Sequence, residues 1–461
     1  MTRRARLRIA GVHLAALREH LFPGDGNEAV AFGLCGRHAA LDTDVLLVQE
    51  VHVVPYEDCP VRASDLVTWK TDVLEPLLAH AAKSKLGIVK FHSHPTGFEE
   101  FSQLDDQSDQ ELFDSIYGWI DDEGPHASVV LLPDGRLFGR AVDPRGHFLE
   151  LDQVLVADHD IVLTVGKLDK SPPAHADTQL FGARTTNLLN GLSVGVVGCS
   201  GTGSFVIEML ARLGVGRLVL VDPDRVEYRN LNRILGTTAA DAATKRLKVH
   251  VLGEHVAKLG LATVVELIPS ELATTQAVRA LAGCDVLFGC TDSHDGRRTL
   301  NRLACFYVLP YFDCGVGLKS DGAGGIEEVS VASHYIQPGR STLLGRGAIR
   351  ADRADAEAMV RRDPARYRSL HAEKYIEGVQ VDNPAVISIN ALAASLMVNE
   401  FLARLHPFHL DANSDHASVR LNLAGTYLDS EPEGNELPLR RALGRGDVEP
   451  LLDMTDISER I

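Results

Sequence analysis

Two histidines in the segment His92-Ser-His94-Pro have the residue type and spacing of metal ligands. They follow an apolar run, 86–91, that predicts a strand, and side chains at positions i and i+2 of a strand point to the same side. Asp105 arrives after a short loop and can supply a third ligand, which leaves one coordination position for water. The pattern predicts a metal site that activates water. Taken separately, the two histidines fit a polar strand end, and Ser102-x-x-Asp105 fits a helix capping box.

A glutamate upstream completes a pattern that resembles the JAMM (JAB/MPN) metalloprotease family, whose members cleave peptide or isopeptide bonds after ubiquitin-like proteins. The pattern consists of Glu28 before a Gly-Leu-x-Gly turn, the HxHP segment and the SxxD segment. The resemblance implies zinc on His92, His94 and Asp105, a proton-accepting base at Glu28 and an oxyanion donor at Ser102. Glu28 lies one residue farther from the end of the turn than the family pattern places it, so Glu50 on the next predicted strand is the alternative base.

A glycine-rich turn at residues 198–203 lies between two apolar runs in the segment 192–233. The first run predicts a strand, the amphipathic segment after the turn predicts a helix, and the second run ends as a strand at Asp222. Gly201 and Gly203 let backbone amides approach a phosphate at the helix start, and Asp222 stands where a ribose hydroxyl is held. The βαβ unit therefore predicts a nucleotide site. The alternative is a turn kept only for packing, since a serine replaces the second glycine of the dinucleotide fingerprint.

Charged residues downstream favour activation of a carboxylate by ATP over hydride transfer. Arg233 and Lys248 follow the βαβ unit, and Asp292 ends a later apolar strand at the sheet edge where ligands of α/β folds collect. Attack of a carboxylate on the α-phosphate builds negative charge that the two cations and a magnesium ion on Asp292 can neutralise. A dehydrogenase needs neither the arginine nor the second acid.

Residues from about 180 to 430 resemble the ubiquitin-activating-enzyme superfamily, which includes the ThiF- and MoeB-like adenylyltransferases of thiamine and molybdopterin biosynthesis. The resemblance rests on the glycine-rich turn, the DPDxVE run followed by NLNR, the lysine a turn later, the CTD strand end and a helix that starts near Asn383. It implies that ATP contacts Gly198, Gly201, Gly203, Asp222, Asn230, Arg233 and Lys248, and that Asp292 holds magnesium. It also implies a homodimer.

The position of the last cysteine argues against a thioester step. No cysteine follows Cys314, whereas thioester-forming relatives place the acceptor between residues 340 and 380. Either the reaction ends at the acyl-adenylate, as in sulfur-carrier adenylyltransferases, or a hydroxyl of Ser341, Thr342 or Ser369 accepts the acyl group. We prefer the first explanation because an alcohol is a poor nucleophile near neutral pH.

The amino-acid composition argues against several classes of partner and fold. With 46 basic and 63 acidic residues and a net charge of −17, the chain repels an extended phosphate backbone, which argues against nucleic-acid and anionic-membrane partners. The 7 cysteines include no CxxC pair, which argues against a disulfide framework and favours the cytoplasm. No segment has the sequence of a membrane span.

The length of 461 residues predicts two or three domains. The predicted class is α/β: a JAB/MPN α+β domain at 1–165, a linker at 166–179, a Rossmann-like ATP-binding domain with a mostly parallel sheet at 180–430 and a C-terminal tail at 431–461.

The motifs together predict a bifunctional enzyme acting on the C-terminus of one ubiquitin-like protein. A zinc peptidase would expose or release the terminal glycine, and an adenylyltransferase would activate it with ATP and magnesium; a conjugating enzyme is a further candidate partner. Three alternatives stay open: a sulfur-carrier adenylyltransferase for cofactor biosynthesis, an NAD-dependent oxidoreductase joined to a metal-binding module, and a non-catalytic scaffold.

Overall fold

The chain divides into two compact units. Unit 1 comprises Met1–Asp169, Phe306–Val308 and Ala442–Glu449, and unit 2 comprises Lys170–Cys305, Leu309–Arg441 and Pro450–Ile461. A computed structural model describes residues 3–40, 42–166, 183–320, 325–372, 386–434 and 439–457. The predicted linker, apart from Gly166, and the predicted helix start at Asn383 lie outside these ranges.

Unit 1 is built on a mixed sheet with helices packed against both faces. Its elements are β1 (Arg4–Ala10), α1 (Gly11–Leu21), β2 (Val30–Ala39), β3 (Thr43–Val53), β4 (Val61–Arg62), β5 (Val67–Thr68), α2 (Glu75–Ser84), β6 (Gly87–Ser93), α3 (Gln103–Trp119), β7 (His126–Leu131), β8 (Leu137–Val142), β9 (Phe148–Glu150), β10 (Gln153–Ala157) and β11 (Ile161–Val165). The main sheet has the order β11-β10-β1-β3-β2-β6-β7-β8-β9, and β4 and β5 form a separate pair.

Alternating side chains of β2 divide the core of unit 1 between the two sheet faces. Val30, Phe32 and Leu34 pack with residues of α2 and α3, whereas Ala31 and Cys35 pack with residues of α1. This is the period-two alternation expected of a strand buried on both sides. β6 runs antiparallel to β2 with Val30 opposite His92. The register therefore brings the residues before β2 and the residues after β6 to the same end of the sheet.

Unit 2 is organised around parallel strands with helices on both faces. Its elements are α4 (Ala183–Gly191), β12 (Ser193–Val197), α5 (Gly201–Arg212), β13 (Arg217–Val221), α6 (Ala239–Ala243), α7 (Lys248–Lys258), β14 (Val264–Ile268), α8 (Thr275–Ala282), β15 (Val286–Gly289), α9 (His294–Phe306), β16 (Tyr311–Ser320), β17 (Ile326–Ile336), α10 (Ala351–Arg362), α11 (Pro364–Ala372), α12 (Ile387–Leu405), β18 (Ser418–Asn422) and β19 (Tyr427–Glu431). The sheet has the order β14-β13-β12-β15-β16-β17-β18-β19.

The predicted βαβ unit is confirmed as β12, α5 and β13. Strands β14, β13, β12, β15 and β16 pair in parallel, and the remaining strands add antiparallel pairs at one side. Because neighbouring parallel strands end at one edge, the loops after β12, β13 and β15 are brought together there. The predicted α/β class is confirmed.

The segment 431–461, predicted as a tail, contributes buried side chains to each unit. Leu443 is buried in unit 1, and Leu451 and Leu452 are buried in unit 2. In unit 1 the Asp447 carboxylate also accepts a hydrogen bond from His38 Nδ1 at 3.0 Å. Among the helices in the described ranges, none combines the length and apolar character needed to cross a membrane.

Candidate functional site

The end of β6 and the first turn of α3 bring together the three predicted metal ligands. The Nε2 atoms of His92 and His94 lie 3.1 Å apart, and the Asp105 carboxylate lies 3.0 Å from His92 Nε2 and 3.5 Å from His94 Nε2. Ligand bonds of about 2.0–2.1 Å in tetrahedral geometry would place donor atoms about 3.3 Å apart. Within the described residues this is the one group of three such side chains with metal-ligand geometry.

The surroundings act differently on the two histidines. Burial lowers the pKa of His94, but hydrogen bonds to the Asp105 carboxylate and the Phe98 carbonyl oxygen outweigh it and raise that pKa. His94 Nδ1 donates to the Phe98 carbonyl oxygen at 2.8 Å, so in the neutral ring, the form that binds a metal, Nε2 presents its lone pair to the cluster. Burial, reinforced by the nearby Lys90 charge, lowers the pKa of His92 to about 4. His92 is therefore neutral near pH 7, which is the form that binds a metal.

Glu28 lies just before β2, at the end of the sheet that carries the histidines. Its side chain is buried, and this burial raises its pKa to about 7, with an opposing influence from His94 and a reinforcing one from Asp105. The alternative base, Glu50, pairs with His52 on β3 and lies opposite Leu34, several residues from the metal-ligand end. The structure brings Glu28 to the cluster, and Glu50 lies away from it.

Ser102 and Asp105 form a complete helix capping box at the start of α3. Asp105 Oδ2 accepts hydrogen bonds from the Ser102 backbone N–H at 2.8 Å and from its hydroxyl at 2.7 Å, while Asp105 Oδ1 faces His92. The capping interpretation and the metal-ligand interpretation are thus compatible, because Oδ1 takes no part in the cap and lies nearest to His92, while the capping oxygen Oδ2 lies 3.5 Å from His94 Nε2. The Ser102 hydroxyl lies at the cluster, where a donor to an oxyanion is needed.

A buried charge network next to the cluster was not recognised in the sequence. Lys90 and Asp109 form an ion pair between β6 and α3, and Arg140 of β8 donates to the same carboxylate at 2.7 Å. All three residues are buried. Lys90 is two residues before His92, and Asp109 is four residues after Asp105, so the pair joins the two elements that carry the ligands. The spacing of Lys90 and Asp109 was visible in the sequence, but their contact depends on how α3 packs on the sheet.

In unit 2, the glycines of the turn after β12 are required by close packing. A Cβ atom at Gly203 would lie 1.8 Å from the Gly198 carbonyl oxygen, and one at Gly201 would lie 2.2 Å from Asn390 Nδ2. Gly198 has a φ of +94°, which favours glycine. Packing therefore accounts for these glycines, and the nucleotide interpretation depends on the surroundings of the turn.

A cavity of about 330 Å³ lies between the glycine-rich turn and the ends of β13 and β14. Asp222 lines it, and its carboxylate accepts hydrogen bonds from the backbone N–H groups of Cys199 at 2.7 Å and Asp224 at 2.8 Å. Apolar atoms of Leu272 and Ala273 line another part of the wall. A fixed carboxylate and an apolar wall next to the glycine-rich turn suit a nucleoside.

The cations predicted to contact ATP lie near this turn. Lys248 Nζ is 2.7 Å from Asp224 Oδ2 and 4.0 Å from Asp222 Oδ1. The aliphatic part of Arg233 lies beside Gly201. Asn230 is buried, and its Oδ1 accepts from a backbone N–H at 2.9 Å, which caps the short turn that contains it.

Asp292 is the predicted residue that the structure separates from the others. It lines a second cavity, of about 310 Å³, with Arg297, His334 and Arg420. Its neighbours Thr291 and Ser293 line the first cavity. The predicted magnesium ligand thus lies at the boundary between the two cavities, next to Thr291, which lines both.

Helix α10 supplies two residues of the first cavity that the sequence analysis missed. Glu357 accepts hydrogen bonds from the Ser293 hydroxyl at 2.7 Å and the Asp295 backbone N–H at 2.8 Å. Arg361 binds Asp295 at 2.9 Å and is the single cationic side chain among the described residues that line this cavity. Nothing in the local sequence of α10 marks it as a wall of this site.

The three candidate acyl acceptors differ in accessibility. Ser341 is buried, and its hydroxyl donates to Glu433 and accepts from Arg346 Nε at 2.9 Å. Thr342 is also buried and caps a turn, whereas Ser369 lies exposed on α11. Burial and hydrogen bonding argue against the first two as acceptors.

The two units thus consist of a doubly wound α/β fold and a mixed sheet that carries a candidate metal site. Residues 174–424, more than half of the chain, match the ThiF family, and the chain belongs to that family. Residues 11–139 match prokaryotic homologs of the JAB domain. The resemblance to both families is confirmed, in the predicted order along the chain.

Curated relatives match part of the chain. Ubiquitin-like modifier-activating enzyme 5 of Culex quinquefasciatus is 30% identical over 169 residues, which cover 33% of this chain and 38% of the relative. Adenylyltransferase and sulfurtransferase UBA4 of Candida albicans is 31% identical over 144 residues, 31% of this chain and 32% of the relative. The chain thus spans about a third of the length of these relatives. A crystal structure of E. coli MccB with ATP has a TM-score of 0.39 at 16% identity and covers 55% of this chain and 67% of that chain.

Proposed function

We propose that unit 2 activates the C-terminal carboxylate of a small carrier protein, of the ubiquitin-like or sulfur-carrier kind, as an acyl-adenylate. The observation that carries this proposal is the cavity at the glycine-rich turn, with the fixed carboxylate of Asp222 on its wall and Lys248 beside it. Asp222 would hold the ribose hydroxyls, and the N-terminus of α5 would bind phosphate oxygens. Lys248 and Arg233 would neutralise the charge that develops on the α-phosphate, and Asp292 would hold magnesium.

We further propose that unit 1 is a zinc peptidase that cleaves after the C-terminus of the same carrier. Two imidazoles and one carboxylate at these separations fit zinc, which would supply an activated water. Glu28 would accept the proton of that water and return it to the leaving amine. The Ser102 hydroxyl, which donates to Asp105 in the ligand-free protein, would rotate to donate to the oxyanion.

The names of the relatives support a carrier protein as the shared substrate. Two of them are ubiquitin-like modifier-activating enzymes, and another is an adenylyltransferase and sulfurtransferase. The second name, together with the absence of a cysteine after Cys314, favours release of an adenylate for sulfur transfer as the second candidate function. Among the described residues no cysteine forms a disulfide, which supports a reducing, cytoplasmic location. We propose a homodimer, with a conjugating enzyme as a later partner if the adenylate is passed on.

Two assays on the full chain test the proposed activities separately. ATP–pyrophosphate exchange should depend on a Gly-ending carrier protein and should be lost in Lys248→Met. Cleavage of a carrier–peptide fusion should require zinc and should be lost in His92→Ala, with Glu50→Gln as the matched control that keeps activity. Exchange without any carrier, or exchange that survives Lys248→Met unchanged, would contradict the adenylation proposal.

A further inference from the structure

Residues 450–457 belong to unit 2 and are held there by apolar side chains. Leu451, Leu452 and Met454 are buried. Leu452 and its neighbour Asp453 have positive φ angles of 55° and 52°, a conformation that is unfavourable for residues other than glycine. The backbone of this segment therefore depends on its contacts with the rest of the unit to keep its position.

Asp456 connects this segment to helix α10. Its carboxylate accepts hydrogen bonds from Arg361 Nη1 and from Arg362 Nε, the latter at 2.7 Å. Burial raises the pKa of Asp456, but the hydrogen bonds and charges of the two arginines outweigh it and lower that pKa. Asp456 is therefore ionised near pH 7 and pairs with both arginines in the last turn of the helix.

Arg361 is the residue through which Asp456 can act on the cavity at the glycine-rich turn, because Arg361 lines that cavity. Its guanidinium is bound through Nη1 by Asp456 and through Nε and Nη2 by Asp295, at 3.3 Å and 2.9 Å. The two carboxylates together fix the orientation of the guanidinium. Contacts with the described residues use three of its five N–H groups, and the other two can donate to a ligand in the cavity.

The placement of this cation matters because the other charged side chains of the cavity are acidic. Among the described residues, the acids that line it are Asp222, Asp224, Glu271, Asp295 and Glu357. An anionic ligand that enters the cavity is therefore attracted there by Arg361 and repelled by its neighbours.

Neither acid that binds Arg361 is committed to it alone. Asp295 is also 3.1 Å from Arg298, and Asp456 also binds Arg362. Each carboxylate is thus divided between two guanidinium groups, and Arg361 keeps part of its attraction for an anion. Loss of the Asp456 carboxylate should consequently free the guanidinium to move, which weakens a directed contact with a ligand.

We propose that Asp456 is a positioning residue of the nucleotide cavity, which fixes the Arg361 guanidinium in the wall, so that docking of residues 450–457 and binding of ATP stabilise each other. The inference rests on the proposed adenylation function and adds a residue that acts on the nucleotide through Arg361. Because coupling between two sites is reciprocal, ATP should hold residues 450–457 in place to the same extent that Asp456 strengthens ATP binding.

The test uses the full chain and three measurements. Calorimetry gives the Kd for ATP, pyrophosphate exchange with a Gly-ending carrier gives KM and kcat, and mass spectrometry gives the amide hydrogen exchange of residues 450–457 with and without ATP. The variants are Asp456→Asn, the conservative Asp456→Glu, and Asp456→Asn combined with Arg361→Met. Asp453→Asn is the matched control, because Asp453 lies on the same segment but pairs with Arg302, at 3.5 Å.

Asp456→Asn should raise the Kd and the KM for ATP about fivefold and leave kcat unchanged, since the coupling acts on binding. Asp456→Glu should restore most of the affinity, and Asp453→Asn should bind ATP like the wild type. In the Arg361→Met background, Asp456→Asn should have no further effect on the Kd. ATP should slow the amide exchange of residues 450–457 in the wild type and have no such effect in Arg361→Met.

The outcomes separate this inference from the proposed function. An unchanged or tighter Kd in Asp456→Asn, or a loss of affinity that persists in the Arg361→Met background, would overturn the positioning role; the persistent loss is the result that general unfolding would give. ATP binding that responds as expected, without pyrophosphate exchange for any carrier, would retain the positioning role and reject adenylation. Carrier-dependent exchange with an unaltered KM for ATP in Asp456→Asn would do the reverse.

Discussion

The substitution Asp109→Asn should destabilise unit 1 and weaken its metal site. The Asp109 carboxylate is completely buried and is shared by Lys90 and Arg140, which are 2% and 7% exposed. Burial alone would raise the pKa of Asp109, but the two cations and their hydrogen bonds outweigh it and lower the pKa. An asparagine would leave Lys90 as a buried charge without its counterion, and breaking such a buried pair costs about 3–5 kcal/mol.

Tryptophan fluorescence can measure this loss of stability in unit 1 separately from unit 2. The sequence has 2 tryptophans, Trp69 and Trp119, and both lie in unit 1. The Trp69 ring is 5.9 Å from Lys90 Nζ, so its emission is sensitive to the network itself. Urea unfolding followed at this emission should give a midpoint well below that of the wild type, and zinc affinity measured by chelator competition should fall about 10–100-fold.

Asp106→Asn is the matched control. Asp106 contacts the same guanidinium, but its side chain is 53% exposed, so its loss should cost less than about 1 kcal/mol. The reduction in stability for Asp109→Asn should also shrink as the pH falls, because a carboxylate with a lowered pKa stabilises the fold above its unfolded pKa and loses that contribution when it is protonated. Equal small losses for the two variants, or a zinc affinity unchanged in Asp109→Asn, would refute the positioning role of the network.

Three further predictions concern the remaining site residues. Gly203→Ala should abolish ATP binding measured by calorimetry, since its Cβ would lie 1.8 Å from the Gly198 carbonyl oxygen and force the turn open; unchanged binding would show that the turn is dispensable. Glu28→Gln should stabilise the metal-free protein by on the order of 2–3 kcal/mol at about pH 8 and give almost no gain at about pH 4, because a pKa raised to about 7 means that ionising this buried acid costs stability as the pH rises above its unfolded pKa; a pH-independent effect in urea unfolding would contradict this. Arg361→Met should raise the KM for ATP about 10-fold in pyrophosphate exchange, whereas Arg362→Met, which changes the neighbouring residue on α10, should leave it unchanged; equal effects would exclude a role of Arg361 in the cavity.

The local pattern of apolar residues, glycines and histidines was sufficient to predict the strands and the helix that carry the candidate site residues. Apolar runs and a glycine-rich turn predicted β12, α5 and β13, and the histidine spacing predicted the end of β6. Neither Arg361 nor the Lys90–Asp109 pair could be predicted in this way, because each reaches its site through packing between elements distant in sequence. The position of Asp292 among the lining residues of the second cavity has the same origin, since it depends on how the loop after β15 packs.

Several motif residues stabilise a local turn or helix cap and also take part in the proposed chemistry. Because one side chain has both roles, the residues of such a motif lie close together in the sequence. The cap of α3 fixes Asp105 Oδ2 through Ser102, and the same contact orients Oδ1 towards His92. Backbone N–H groups hold the Asp222 carboxylate on the wall of its cavity. In each case the hydrogen bonds that complete a turn also restrict the rotamer of an acid before any ligand binds. A ligand would then meet a carboxylate whose orientation has already been fixed by folding, and less side-chain entropy would be lost on binding.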